Sequence, residues 1–270
     1  MQRALWVALV CGLILNAQSA DNARTAQIIG ALPLIQRLGT TDASQTLLLR
    51  QQISEKVLAA SLQVDATTAQ IDNEIAQSNE LRGLLANRRD RAVNRANLFS
   101  VVIGGGLGAG SSALQLASGQ ARSASVVGIA AGVLSSGLAV SGILAQKGTT
   151  RVFDFNSNML ARLFDRPALA DSDYSPIIWE FLNEVAPTDA GHITRKERLI
   201  RTWIEVKRID QPSTAAGKDK IARVTSQPSE KMRLTIDDLE DRAAMLEDVR
   251  AKLSFLKRDL ASLVLSLPSI

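Results

Sequence analysis

The sequence predicts an all-α protein in which long, coiled-coil-like helices flank a glycine-rich apolar helical hairpin, with a small helical subdomain alongside. Three observations carry that expectation. Aromatic residues make up only 4% of the chain, and Ala, Leu, Gln and Ser dominate, which suits paired helices better than a β-sandwich. Two stretches, within 20–97 and 232–270, repeat apolar residues at alternating steps of three and four. Between them, Leu98 to Gln146 holds a single charge, Arg122.

The N-terminal residues 1–19 read as an export signal. Arg3 supplies a positive start, Ala4 to Leu15 an apolar core, and Ala17 and Ser19 the small residues of a cleavage site. The apolar run is short for a membrane span. Cys11 is the only cysteine. It lies inside the apolar core behind Leu9 and Val10, not behind the small residue that a lipoprotein signal uses, so it is expected to leave with the signal. The mature chain then has no thiol for a disulfide or a metal. No Asn-x-Ser/Thr acceptor occurs. The expected location is the periplasm or envelope membrane of a bacterium.

Residues 20–97 form the N-terminal arm. Ile28, Ile29, Leu32, Leu34, Ile35 and Leu38 suggest a short apolar lead, kinked at Pro33 and stopped at Gly39. From about Ala43 a long helix is expected. Its seam runs Ile53, Val57, Ala60, Val64, Thr67, Ile71, Glu74, Ser78, Leu81, Leu85, with a polar middle at Thr67, Glu74 and Ser78.

Residues 98–146 are expected to form two apolar helices joined near Ser118-Gly-Gln-Ala-Arg122. Each is near the ~20 residues that span a bilayer core. Small residues recur at every fourth place, as Gly104, Gly108 and Ser112 in the first half and Ala124, Gly128, Gly132 and Ser136 in the second. That spacing lines one face of each helix and lets two backbones approach closely. A glycine costs about 1 kcal/mol in an ordinary solvated helix, so close contact is the physical reason for so many.

Residues 151–209 read as a compact helical subdomain. Val152, Phe153, Phe155, Met159, Leu160, Leu163 and Phe164 suggest a helix that stops near Pro167. A second starts at Ser175-Pro176, with proline at its first position. A third opens at the capping box Thr194-x-x-Glu197 and runs through Ile209. Residues 210–231 read as an exposed linker. The C-terminal helix, 232–270, has the seam Leu246, Val249, Leu253, Leu256, Leu260, Leu263 and Leu267, with Thr235 and Arg242 as weak members. Burying each leucine is worth about 1.5–3 kcal/mol. Its partner is expected to be the arm at 43–98, folded back antiparallel, or the same helix of a second chain.

Chemistry is scarce. His192 is the only histidine and falls in a loop. Zinc needs three or four Cys, His or carboxylate ligands, and no such cluster occurs. Glu180 and Glu184, four apart, read as the wet side of an amphipathic helix rather than an acid/base pair. The run Gly104 to Ser112 lacks the lysine and the strand–turn–helix setting of a phosphate loop. No cofactor, small-molecule substrate or nucleic acid is implied, and the chain is not expected to be an enzyme. The clusters Arg82, Arg88, Arg89, Arg91, Arg95 and Arg195, Lys196, Arg198, Arg201, Lys207, Arg208 suit anionic head groups, at about 1 kcal/mol per cation near the surface, or a solvated helix face.

The paired small-residue rows at 104–112 and 124–136 resemble the glycine-zipper hairpins of bacterial envelope proteins. The wider arrangement, long helices flanking an apolar hairpin, is similar to α-helical pore-forming toxins. Three functions follow as expectations. The hairpin sits in an envelope membrane and the arms bind a protein partner or a second copy; or it is the core of a soluble helical scaffold or binding module; or it inserts conditionally, as in a toxin. The flanking Arg88, Arg89, Arg91, Arg95, Lys147 and Arg151 would lie on the exported side of an inner membrane, against the positive-inside tendency. An outer membrane relaxes that objection.

The export signal predicts a mature chain that begins near Ala20. Intact mass of the exported protein checks this, and retention of residues 1–19 would favour an N-terminal anchor instead.

Overall fold

The computed structural model describes residues 20–38, 42–118, 151–152, 158–167, 173–186, 191–226 and 232–267; for 95–118 and 151–152 only the backbone is considered. The protein is all-α. Its helices are α1 (20–28), α2 (Leu32–Leu38), α3 (Ala43–Ser118), α4 (Pro176–Asn183), α5 (Arg195–Glu205), α6 (Ala215–Val224) and α7 (Ile236–Ser266). A 3₁₀ turn covers Ala161–Phe164, and two short strands, β1 (Arg151–Val152) and β2 (Arg233–Leu234), pair antiparallel.

Helix α3 starts where Asp42 accepts the Gln45 N–H at 3.0 Å, a side-chain cap on the free amides of a first turn. Its 76 residues extend roughly 110 Å. The apolar row turns inward as the spacing predicts: Ile53, Ala60, Val64, Ile71 and Leu85 are buried, and so are the polar members Thr67, Glu74 and Ser78. Helix α7 answers with Leu246, Val249, Leu253, Leu256, Leu260 and Leu263, all buried, and Leu267 partly so. Ion pairs Arg82–Glu240, Asp72–Arg250 and Asp65–Lys257 climb one helix as they descend the other. The two seams therefore close on each other antiparallel within one chain.

The lead packs on this pair. Helix α1 ends at Gly30, whose φ of +66° suits a residue without Cβ. There the Ala31 N–H reaches the Ala26 carbonyl (2.7 Å) and the Gly30 N–H the Gln27 carbonyl (2.9 Å), the bonds of a Schellman end. The break expected at Pro33 is thus made by Gly30, and Pro33 sits in the first turn of α2. Gly39 lies outside the described residues.

Two expectations are corrected. At the described residues of the stretch expected to be a helix ending near Pro167, 151–152 form the strand β1 and Ala161–Phe164 a 3₁₀ turn; 153–157 lie outside the described residues. Met159, Leu160, Ala161 and Leu163 are all buried, as a tight turn inserted into a core requires. The linker expected at 210–231 instead carries α6. Thr214 caps it by accepting the Gly217 N–H, and Ile221 and Val224 are buried. A Cβ on Gly217 would stand 2.0 Å from the Gln211 carbonyl oxygen, so this glycine marks a close approach, not looseness.

The capping box of α5 is present, with Thr194 and Glu197 exchanging backbone hydrogen bonds. The helix stops at Glu205, short of Ile209, because Lys207 adopts φ +62° and the Arg208 N–H returns to the Trp203 carbonyl at 2.9 Å. One core contains α1, the α3–α7 seam and the subdomain residues Phe181, Leu182 and Trp203. The subdomain is thus continuous with the coil.

Two substitutions test this packing by thermal or urea unfolding. Leu256→Asp buries an unpartnered carboxylate in the seam and should cost about 3–5 kcal/mol; an unchanged melt would mean that this face is solvated. Gly217→Ala should cost about 1–3 kcal/mol, because the carbonyl it meets is backbone.

Candidate functional site at the root of the apolar excursion

Helix α3 carries the chain past Leu85, through Arg88, Arg89 and Arg91, and into the apolar stretch as one uninterrupted helix to Ser118. The chain comes back at β1. Arg151 lies opposite Leu234 of β2, and Leu234 shares a buried cluster with Leu85 and Leu239, against which Leu81, Met232 and Ile236 pack. The α3 segment at Leu85 and the chain at Arg151 therefore come together at one place.

Three sets of polar contacts hold that root. The first is at the start of α7. Thr235 and Asp238 form a capping box. The Asp238 carboxylate, 2% exposed, also takes Lys220 at 2.8 Å and Arg223 at 3.1 Å from α6. Burial pushes its carboxyl up, but the hydrogen bonds from Lys220 and from the Thr235 backbone outweigh it, and the net position is below the ordinary carboxylate value. Burial pulls the Lys220 ammonium down, but its bonds to Asp238 and Asp241 leave it above the ordinary lysine value.

The second set lies in the seam. Arg242 and Glu74, both fully buried, meet at 2.8 Å. The second Glu74 oxygen accepts the Met159 N–H at 2.8 Å, and Arg242 donates to the Val224 carbonyl at 3.1 Å. One ion pair thus touches α3, α7, the segment after β1 and the end of α6. The third set supports Met159. The Tyr174 hydroxyl donates to its carbonyl at 2.7 Å, and the Asn158 amide to the Ser226 carbonyl at 2.9 Å. Burial, then the nearby Glu74 and Asp173 carboxylates, hold the Tyr174 hydroxyl well above the usual tyrosine value, so it stays a neutral donor.

The basic residues of the subdomain are largely absorbed by its own rings and acids. The Arg162 guanidinium lies 4.1 Å from the Trp179 ring centre and that of Arg195 4.0 Å from Phe181. Arg208 pairs with Asp248, which also accepts the Trp203 indole N–H at 2.9 Å. A cleft of about 280 Å³ is lined by Lys207, Arg208, Lys220 and Arg223 with Asp219 and Asp241, but Lys220 and Arg223 already meet carboxylates there.

The sequence-predicted residues fall as follows. The seam from Leu246 to Leu267 faces α3. Gly104, Gly108 and Ser112 lie on α3; Gly128, Gly132 and Ser136 lie outside the described residues. Glu184 is bound by Arg195 at 3.3 Å while Glu180 is exposed, so they form no carboxylate pair. His192 is exposed in a turn at φ +49°. Among the described residues no group of His, Cys, Asp and Glu could hold a metal ion, and no helix is long and apolar enough to cross a membrane. Sequence reasoning missed the Glu74–Arg242 pair. Its signal was visible, since each seam had one charged member and the two were of opposite sign.

No family model matches the chain, and neither the curated proteins nor the solved structures contain a match.

Glu74→Gln keeps a hydrogen-bonding side chain but removes the buried negative charge that faces Arg242, and should cost about 3–5 kcal/mol. Hydrogen exchange at the Met159 amide should accelerate with it. The Asp238 group gives a pH dependence. Its folded value is the lower one, so its stabilisation is present above the unfolded value of about 3.9 and is lost as pH falls through the folded value. Asp238→Asn should therefore flatten the acid side of the melting-temperature profile; a profile as steep as wild type would assign that limb to other carboxylates.

Proposed function

We propose that the chain is a non-enzymatic, exported envelope protein that associates with lipid through the hairpin at 98–146 and presents its helical arms for assembly or partner binding. The observation that carries this reading is the root. The body grips both ends of residues 86–150 at one place, which is what a hairpin projecting from a scaffold needs. A catalytic loop would need reactive groups, and 98–146 contains one ionisable residue, Arg122.

A second feature supports it. Helix α3 passes without a break from the seam, past the arginines at 88–95, into the apolar stretch. A rigid rod of this kind sets a distance between body and tip. Arginines ahead of an apolar segment suit anionic head groups, and the small-residue rows suit two closely packed helices in lipid. The likeness to glycine-zipper hairpins belongs to the same proposal.

Fractionation tests it. The protein should remain in the membrane pellet after carbonate washing, and release to the soluble fraction would favour the scaffold reading. Leakage of dye from liposomes on addition of the purified protein would instead favour conditional insertion. For the zipper, Gly128→Leu/Gly132→Leu raises both apolarity and helix propensity. If the glycines mediate close contact, overpacking of about 1–3 kcal/mol per site should abolish hairpin packing, with Val133→Leu near wild type. Undiminished stability and assembly in the double variant would remove the zipper.

A further inference from the structure

The α3–α7 pair has one flank that carries charge in two rows. On α3 the row is Asp72, Asp65 and Leu58; on α7 it is Arg250, Lys257 and Val264. Successive members are seven residues apart, and the first two rungs are ion pairs at 2.7 Å and 2.5 Å. The third rung in that register is apolar. Leu58 is 60% and Val264 41% exposed. The positions between the rungs, such as Ser61 and Ala261, are small, so a further helix pair could approach closely.

We infer that this flank binds a second copy of the chain, related by a two-fold axis parallel to the coil, to form a four-helix bundle with both excursions at the same end. Charge complementarity selects this partner and this sense. Rotation about an axis along the coil sets the α3 row of one copy against the α7 row of the other. Asp65 and Asp72 then meet Lys257 and Arg250 of the second copy, and Leu58 meets its Val264. Each carboxylate, half-exposed in the single chain, lies between two cations. Rotation about an axis across the coil would set acid on acid and base on base, at a cost that disfavours it. The same patch is used by both copies, as an isologous interface requires. The inference rests on the coil alone and does not depend on where the hairpin resides.

Sedimentation velocity and paired spin-label distances test it. The full chain with Cys11→Ser and Asn87→Cys should sediment as a dimer. Its labels should lie about 20–35 Å apart, the width of four packed helices. Antiparallel docking centred on Asp65 would put them about 65 Å apart at 1.5 Å per residue. Leu58→Glu/Val264→Glu should raise the dissociation constant at least tenfold with an unchanged melting temperature at dilution, whereas Leu84→Glu on the other flank should leave it as it was. Asp65→Lys should weaken the dimer, and Asp65→Lys/Lys257→Asp should restore it. A monomer, a dimer held through the excursion and so indifferent to the Leu58/Val264 change, or the longer label distance would each overturn the inference.

Discussion

The buried ion pair between Glu74 and Arg242 determines how the rest of the chain is arranged. Its net contribution to stability is modest, since two charges lose their water to form it. Its contribution to uniqueness is larger. Leucine-rich seams slide past one another at little cost, because one leucine resembles the next. A seven-residue slip of α7 would set Glu74 against Val249 or Thr235 and Arg242 against Leu81 or Thr67, so that neither charge faces its opposite. Only one register pairs them, and in that register the remaining Glu74 oxygen finds the Met159 amide and the guanidinium finds the Val224 carbonyl. The same pair thus contacts the coil, the segment before the 3₁₀ turn and the end of α6.

This arrangement separates two tasks. The seam, the lead and the subdomain share one core, and the root ties both ends of residues 86–150 to it. The body can then fold around its own contacts, whatever surrounds the excursion. Apolar seams supply most of the free energy, while Asp238, Lys220 and the two capping boxes decide where helices start and which neighbour each one meets.

Much of the coil was legible in the sequence because helical periodicity is a strong signal over many turns. The α3 register was readable to the residue, including Thr67, Glu74 and Ser78, and so was α7. Thr194-x-x-Glu197 and Ser175-Pro176 marked true helix starts for the same local reason. What was not legible depended on contacts distant in sequence. The 210–231 stretch looks like a linker until Ile221 and Val224 find the core. The stretch before Pro167 looks helical by its apolar content, but Met159, Leu160 and Leu163 are buried in and beside a 3₁₀ turn. The root could not be read at all, because it joins Leu85, Arg151 and Leu234, which no local pattern links.

The antiparallel seam also has a consequence in time. Ala60 of α3 is buried by the same core as Leu263 of α7, and some two hundred residues separate them. At about 5–20 residues per second of synthesis, the apolar row of α3 waits roughly ten to forty seconds for its partner. The nascent chain passes that interval with a long apolar stripe uncovered, and with a second apolar stretch emerging behind it. The order of the helices therefore makes the nascent chain a natural client for whatever holds unfolded chains. It also makes the arrival of α7, not of α3, the step that closes the seam.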